Sequence, residues 1–544
     1  MSACISYSTF RVPARLVLLL TGGLLVLSSL PAAADLENVV VGGEIRVRGN
    51  WWMSSFNAGD KPLLVRLENR WPADTMTGRP IGSALGVGGQ NLYSYFDWDS
   101  RGPDYAVVEQ RTTFNVRADF TQGISAYVEL DSFDAWGENF RSNYLTGVDK
   151  RANSADDVEI YQAYIEADNV LDMPLRLRIG RQELVFGDGW LLGNNSAMPE
   201  FTGLSFDAVR ATYTEDMFTL DAFWGKLAEL SPLEEDGDTD FYGVYASYKG
   251  IEKVTLDAFW FWLRDAERIS DTQSGSYNEW LGNLLGLGDY GPTNLHTVGL
   301  RAAGTLDGFD FALNAAYQFG DASRVGALFK PYIYGDNKAD FDSWAGDIDL
   351  GYTFDLAWKP RIHVAAAYVG GEDNRSISFG DWSNPLSPWV RPNASVSFNR
   401  LFSNTVYSYF FDEMGELSNF WMVRGGVSAH PAESIEAGLN ASYFGVIDTF
   451  DRPLYLNAGS DYLLLARGWS FLTQESSDDL GWELDLWVKY HYSPDLTFEA
   501  GWSHLFTGDG LAEGNFNDMN GLLFNGGTAK DDADYLYFQT TLRF

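Results

Sequence analysis

Cysteine is almost missing from this chain: one residue, Cys4, in 544. That excludes a disulfide framework, a cysteine-based zinc site and haem attachment through C-x-x-C-H. Basic residues are scarce, with 38 Lys and Arg against 75 Asp and Glu, a formal charge of −37. So acidic a chain does not suit a nucleic-acid partner, because phosphate binding needs basic surface. Beyond residue 35 no apolar run approaches the roughly 18 residues that a membrane-spanning helix needs. Neither a glycine period nor a heptad period is present, which excludes collagen-like and coiled-coil classes. What the chain has in quantity is aromatic: 36 Phe, 28 Tyr and 19 Trp. That is too much apolar surface for a disordered polypeptide.

The first thirty-four residues read as an address. Arg11 and Arg15 precede an apolar run from Leu16 to Leu30, and Pro31 and Ala32-Ala33-Ala34 follow. A basic region, a short hydrophobic region and small residues form a cleavable export signal, expected over residues 1–34. A single large domain over residues 35–544 is expected to follow. Loss of Arg11 and Arg15 with the leader leaves 36 basic against 75 acidic residues, a formal −39.

The remainder alternates with a period of two. Val108, Thr112, Phe114, Val116, Ala118 and Phe120 share one face, and Glu109, Arg111, Thr113, Asn115, Arg117 and Asp119 share the other. Alternate side chains of a strand point to opposite faces. Gln122-Gly123 then makes a tight turn, and Ile124, Ala126, Val128 and Leu130 resume the alternation. The unit recurs down to Leu536, Phe538, Thr540, Leu542 and Phe544. Such segments number about 18, an even count of the kind found in single-chain bacterial barrels. They start near Val39, Tyr105, Ile124, Val158, Leu175, Ser205, Met217, Thr239 and Val254. The others start near Asn294, Phe309, Ser343, Arg361, Asn419, Ser434, Gly481, Leu496 and Asp532. Short connections such as Asp307-Gly308 alternate with long ones such as Ser55–Asp104 and Glu372–Ser418. The fold class expected is therefore all-β: a transmembrane antiparallel barrel with short periplasmic turns and long extracellular loops. Closure satisfies every backbone group within the hydrocarbon.

A barrel of this size holds an aqueous bore rather than a solid core. Apolar residues such as Trp260, Trp262 and Trp344 then face lipid. Trp51, Trp52, Trp136, Trp224, Trp358, Trp421 and Trp502, near strand ends, form interfacial girdles. The inward face carries Arg46, Arg48, Arg111, Arg117, Arg176, Arg178, Arg301 and Lys489 among Glu44, Glu109, Asp119, Glu129, Asp131, Asp347 and Asp349. An arginine ladder could pass an anionic polymer, because the guanidinium fork matches a carboxylate. Interleaved carboxylates offer the other reading, in which the same arginines only stiffen the wall. In the acidic stretch Glu234–Asp240, loop calcium is conceivable at Glu235, Asp236, Asp238 and Asp240, although the spacing is not that of an EF-hand and a solvated acidic tip is the simpler reading.

One stretch is specific. It reads Tyr161-Gln162-Ala163-Tyr164-Ile165, then Leu175-Arg176-Leu177-Arg178-Ile179-Gly180-Arg181-Gln182-Glu183-Leu184, then Phe186-Gly187-Asp188-Gly189, then Phe206-Asp207-Ala208-Val209-Arg210. This resembles the alginate-export family of Gram-negative outer-membrane barrels. Gly42–Arg48 and the terminal Thr541-Leu542-Arg543-Phe544 look like the same family. The resemblance implies an 18-strand barrel with an arginine-rich, anion-selective lumen in the outer membrane. It makes Arg46, Arg48, Arg111, Arg117, Arg176, Arg178, Arg181 and Arg210 candidate pore-lining residues, with Arg301, Glu109, Glu129 and Asp131 beside them. It implies as partners outer-membrane lipid and lipopolysaccharide, the outer-membrane assembly machinery and periplasmic polysaccharide-export proteins. In the exporters a long periplasmic turn helps close the pore; the matching turn here, Ser493-Pro494-Asp495, is minimal.

The function expected is thus an alginate-export-type channel for hydrophilic solutes, including anionic oligo- or polysaccharide. The acidic balance keeps a general or cation-preferring diffusion porin as the alternative, because a negative mouth repels uronate chains. An enzyme is not expected: G-x-S-x-G and H-E-x-x-H are both absent, and the histidines are only His296, His363, His430, His491 and His504. No cofactor is required by this reading.

Overall fold

The computed structural model describes residues 35–53, 105–136, 142–143, 148–149, 158–194, 202–229, 238–266, 292–321, 339–371, 394–395, 397–411, 417–449, 451–453, 473–475, 477–512 and 532–544. The expected leader, Glu235 and Asp236, and much of the long loops lie outside these residues.

Eighteen antiparallel strands form one sheet. The first six are β1 (Leu36–Met53), β2 (Tyr105–Phe120), β3 (Ile124–Ala135), β4 (Glu159–Ala167), β5 (Leu175–Gln182) and β6 (Phe206–Thr214). Next come β7 (Phe218–Ala228), β8 (Thr239–Ile251), β9 (Val254–Asp265), β10 (Thr293–Leu306), β11 (Phe309–Asp321) and β12 (Ala339–Thr353). The last six are β13 (Arg361–Val369), β14 (Phe420–Ala432), β15 (Ile435–Val446), β16 (Asp479–His491), β17 (Leu496–Thr507) and β18 (Ala533–Arg543). Each strand pairs with its neighbours in sequence, and β1 pairs with β18 from Glu44↔Arg543 to Met53↔Asp534. The sheet therefore closes and leaves no edge. The two-residue strand Ala394–Ser395 adds a parallel pairing at the start of β12.

Turns at one rim are tight for local reasons. Asp307 and Gly308 both take positive φ, 48° and 86°, which suits the two-residue hairpin whose twist matches its strands. At the opposite rim the connections are long. The outward face is apolar and exposed, with Leu300 65% and Trp344 59% accessible. Near the long-loop rim an aromatic row crosses neighbouring strands: Tyr242 stacks on Trp262 at 4.9 Å, Trp262 on His296 at 5.4 Å and His296 on Phe319 at 5.1 Å. Just beyond it the register aligns Arg181, Asp207, Lys226, Asp240 and Arg264 on the same outer face. Apolar, aromatic and charged bands in that order are what a membrane boundary selects.

One girdle assignment is corrected. Trp52 shares its face with Arg48 and Asn50, is 9% exposed, and stacks on Tyr535 at 4.8 Å inside the bore. Trp136 and Trp358 stand on the outside, 60% and 62% exposed.

Candidate functional site

The bore is defined by what enters it. After β5 the chain turns inward as residues 183–194, and residues 397–411 come in before β14. They meet along a short ladder: Leu192 bridges Phe402, Phe402 N donates to Leu191 O at 3.0 Å, and Asn404 N donates to Gly189 O at 2.9 Å. Both then reach the wall. Phe186 stacks on Tyr245 at 4.9 Å and on Phe223 at 5.5 Å. The hydroxyl of Tyr407 donates to Asp347 at 2.8 Å and accepts from Trp190 Nε1 at 2.9 Å. Glu483 accepts from Ser408 Oγ and, at 2.9 Å, from Tyr409 N, while Asn399 N donates to Gln318 at 2.8 Å. Segments that touch β7, β8, β11, β12 and β16 together must lie within the barrel, which identifies the inward face.

Gly187 lets the first segment come so close. Its φ is +60°, and a Cβ there would stand 2.8 Å from the Tyr245 hydroxyl and 2.9 Å from Arg301 Cδ. A side chain would be strained and obstructed at once. Burial pushes the Glu183 carboxyl upward from the ordinary range, although Tyr161 donates to it at 2.6 Å and Asn194 at 3.2 Å. Burial likewise raises the Tyr407 phenol well above its usual value.

The inserted segments divide the bore. Along β10 the inward residues Thr293, Leu295 and Thr297 are fully buried near the long-loop rim, Arg301 is half-buried, and Thr305 is exposed at the short-turn rim. Along β16 the same progression runs from Glu483 and Asp485, both buried, through Lys489 to exposed His491. Along these strands the inserted segments cover the wall of the long-loop half. The short-turn half is a wet vestibule.

The charged residues singled out in the sequence fall on this wall in pairs. Arg46 meets Glu44 at 2.6 Å, Arg111 meets Asp131 at 2.8 Å, Arg210 meets Asp221 at 2.8 Å and Arg301 meets Asp257 at 2.9 Å. Buried Glu166, absent from the candidate residues, gathers Arg178 at 2.6 Å, Arg117 at 3.6 Å and Arg176 at 3.7 Å. Arg117 and Arg176 also hold Asp119 and Asp168, at 2.8 and 2.7 Å. Arg48 is 1% exposed and donates to Gln539 at 2.7 Å, so it faces inward but is packed. Glu109 accepts from Asn50 at 2.7 Å, and Glu129 accepts from Gln162 at 2.7 Å.

Arg181 does not belong to the bore. It is an odd-numbered neighbour of inward Arg178 and Gln182, so strand alternation turns it to the outer face, where it binds Asp207 at 2.9 Å. Of the acidic loop residues, Asp238 and Asp240 lie beside Lys226 on that outer side, and among the described residues no cluster of metal-ligating side chains is present. His504 binds Asp534 at 2.8 Å, also away from the bore.

The model of the alginate export family matches residues 95–524. Among solved structures, the chain is similar to OccK8 (OprE) of Pseudomonas aeruginosa at 11% identity and a TM-score of 0.47, over 94% of this chain and 99% of that one. It is similar to OprD of the same organism at 8% identity and a TM-score of 0.45, over 94% and 95%. The comparison with curated proteins gives no match.

Proposed function

The chain belongs to the alginate export family, and on that premise we propose that it is an outer-membrane channel passing hydrophilic solutes, saccharide chains among them, between its wet vestibule and the long-loop side. The observation that carries this reading is the bore itself: a closed sheet, apolar outside, whose inward charged side chains are water-accessible over the short-turn half. Lipopolysaccharide around the barrel, the outer-membrane assembly machinery at the terminal Phe544, and periplasmic export proteins at the short-turn rim are the partners that go with it. Arg46, Arg117, Arg176, Arg178, Arg210 and Arg301 are proposed as wall groups that a solute passes. The remaining candidates, Arg48, Arg111, Glu109, Glu129 and Asp131, brace the wall around them.

A second reading concerns charge preference. Most bore arginines are matched by wall carboxylates, and the chain as a whole carries 75 acidic against 38 basic residues. This favours cations over a uronate-selective ladder. Both readings are tested by reconstituting the full chain in planar bilayers. Stepwise conductance is expected, with a reversal potential in a salt gradient of the sign for cation preference. Bilayers that stay silent contradict the channel, and anion preference contradicts the second reading.

A further inference from the structure

One wall tryptophan faces the vestibule instead of lipid. The inward residues of β16 run Glu483, Asp485, Trp487, Lys489 and His491, with exposed Leu486 and Val488 on the outer face between them. Trp487 comes directly below the buried carboxyls and is only half-buried. Among the described residues the other inward strand tryptophan, Trp52, is packed. The Trp487 indole lies across Gly438, its register partner on β15, where a Cβ would stand 2.5 Å from Cζ2 and 2.8 Å from Nε1. Covering a glycine does not in itself leave a ring in water. Tyr537 covers Gly501 of β17 in the same way, yet it is buried and donates to Glu499 at 2.9 Å. The outward indoles of Trp224 and Trp502 donate to Asp240 and Asp534 at 3.0 and 2.9 Å, whereas the Trp487 Nε1 has no acceptor among the described residues. Polar groups flank the ring. Lys489 Nζ stands 5.3 Å from its centroid and 3.6 Å from Glu499 Oε2, and Glu436 of β15 is the register partner of Lys489.

We propose that Trp487 is a stacking platform for a pyranose ring of a neutral oligosaccharide on the vestibule wall. The proposal deepens the channel reading and rests on it for the solute's route. One side of the indole is taken by Gly438, and the side turned to the bore receives the C–H face of the sugar. The Nε1–H and the Lys489 ammonium donate to ring hydroxyls, and Glu499 and Glu436 accept from them. Lys489 has a flexible stem and a side chain 37% exposed, so its ammonium can move from the indole to a hydroxyl as the sugar arrives. A uronate suits the place less well, because Lys489 already stands between two carboxylates and a third would be repelled.

The test is calorimetric titration of the full chain with maltohexaose and with hexagalacturonate, in a detergent without a sugar headgroup. Maltohexaose is expected to bind about tenfold more tightly than the uronate. Trp487→Leu still covers Gly438 but has no aromatic face, and it should weaken maltohexaose about tenfold, whereas Trp487→Tyr should keep most of the affinity. Retained heat-modifiable migration in gels shows that a variant's barrel is intact, and the comparison of the two sugars needs no variant. Equal or tighter uronate binding, or unchanged maltohexaose affinity in an intact Trp487→Leu, overturns the proposal. Binding is read without conduction. Silent bilayers with Trp487-dependent maltohexaose binding would therefore overturn the channel and uphold the platform, whereas conducting bilayers without maltohexaose binding would do the reverse.

Discussion

Glu166 sits where three bore arginines converge, with 2% of its side chain exposed. Its charge is what lets Arg117, Arg176 and Arg178 share one stretch of wall. Removing one partner of a buried ion pair leaves the other uncompensated. Glu166→Gln should therefore lower unfolding stability by about 3 kcal/mol, read by urea titration in detergent. It should also shift the bilayer reversal potential toward anions, because three guanidinium groups lose a counter-charge. Arg181→Glu gives the matched control: from the outer face it should leave that potential unchanged, whereas Arg178→Glu should move it. The parity that separates Arg178 from Arg181 was present in the sequence, as was the parity that turns Trp52 inward with Arg48 and Asn50. In both cases a residue type was read in place of a position: arginine as pore-lining, tryptophan as interfacial. Glu166 was missed because a lone acid on an alternating strand gives no sign of the three cations that neighbouring strands bring to it.

At the scale of elements, the strands and the inserted segments differ in how they are encoded. A strand between lipid and water must alternate apolar and polar residues, so its period is visible locally. The strand expected from Ser343 instead begins at Ala339: Asp340–Asp342 pair with the end of β11 and Ala339 pairs with Ala394, so the alternation of Ala339 and Phe341 with two aspartates belongs to the strand and not to the loop before it. Residues 183–194 and 397–411 carry no period. Their contacts, such as Tyr407 with Asp347 and Ser408 with Glu483, join distant parts of the chain. What was legible was Phe186-Gly187-Asp188-Gly189 as a motif, not its destination. The motif's tip can be tested directly. Gly187→Ala places a methyl group against Tyr245 and Arg301 at a positive φ, so stability should fall by about 1–2 kcal/mol. Conductance should rise as the tip lifts from the wall, measured as unit current in bilayers. An unchanged unit current would mean that the segment does not limit flow.

For the whole molecule, closure through β1 and β18 and the alternation of its strands produce two environments from one sheet. Lipid receives Leu300 and Trp344, and the vestibule receives Thr305, Arg176 and Asp349. The packed half, by contrast, encloses Thr297 and Glu483 beneath the inserted segments. Because Cys4 is the chain's only cysteine, single-cysteine labelling gives a clean view of this division once Cys4 is replaced by serine. The decisive measurement places one cysteine at a time along β10, at Thr297, Leu300 and Thr305, in the chain reconstituted into liposomes, and follows reaction with a charged, water-soluble maleimide. Thr305→Cys should react rapidly, and Thr297→Cys and Leu300→Cys slowly or not at all, the first shielded by packing and the second by lipid. Rapid labelling of Leu300→Cys, or a Thr305→Cys that resists the reagent, would contradict a barrel with a wet vestibule and a lipid-facing exterior.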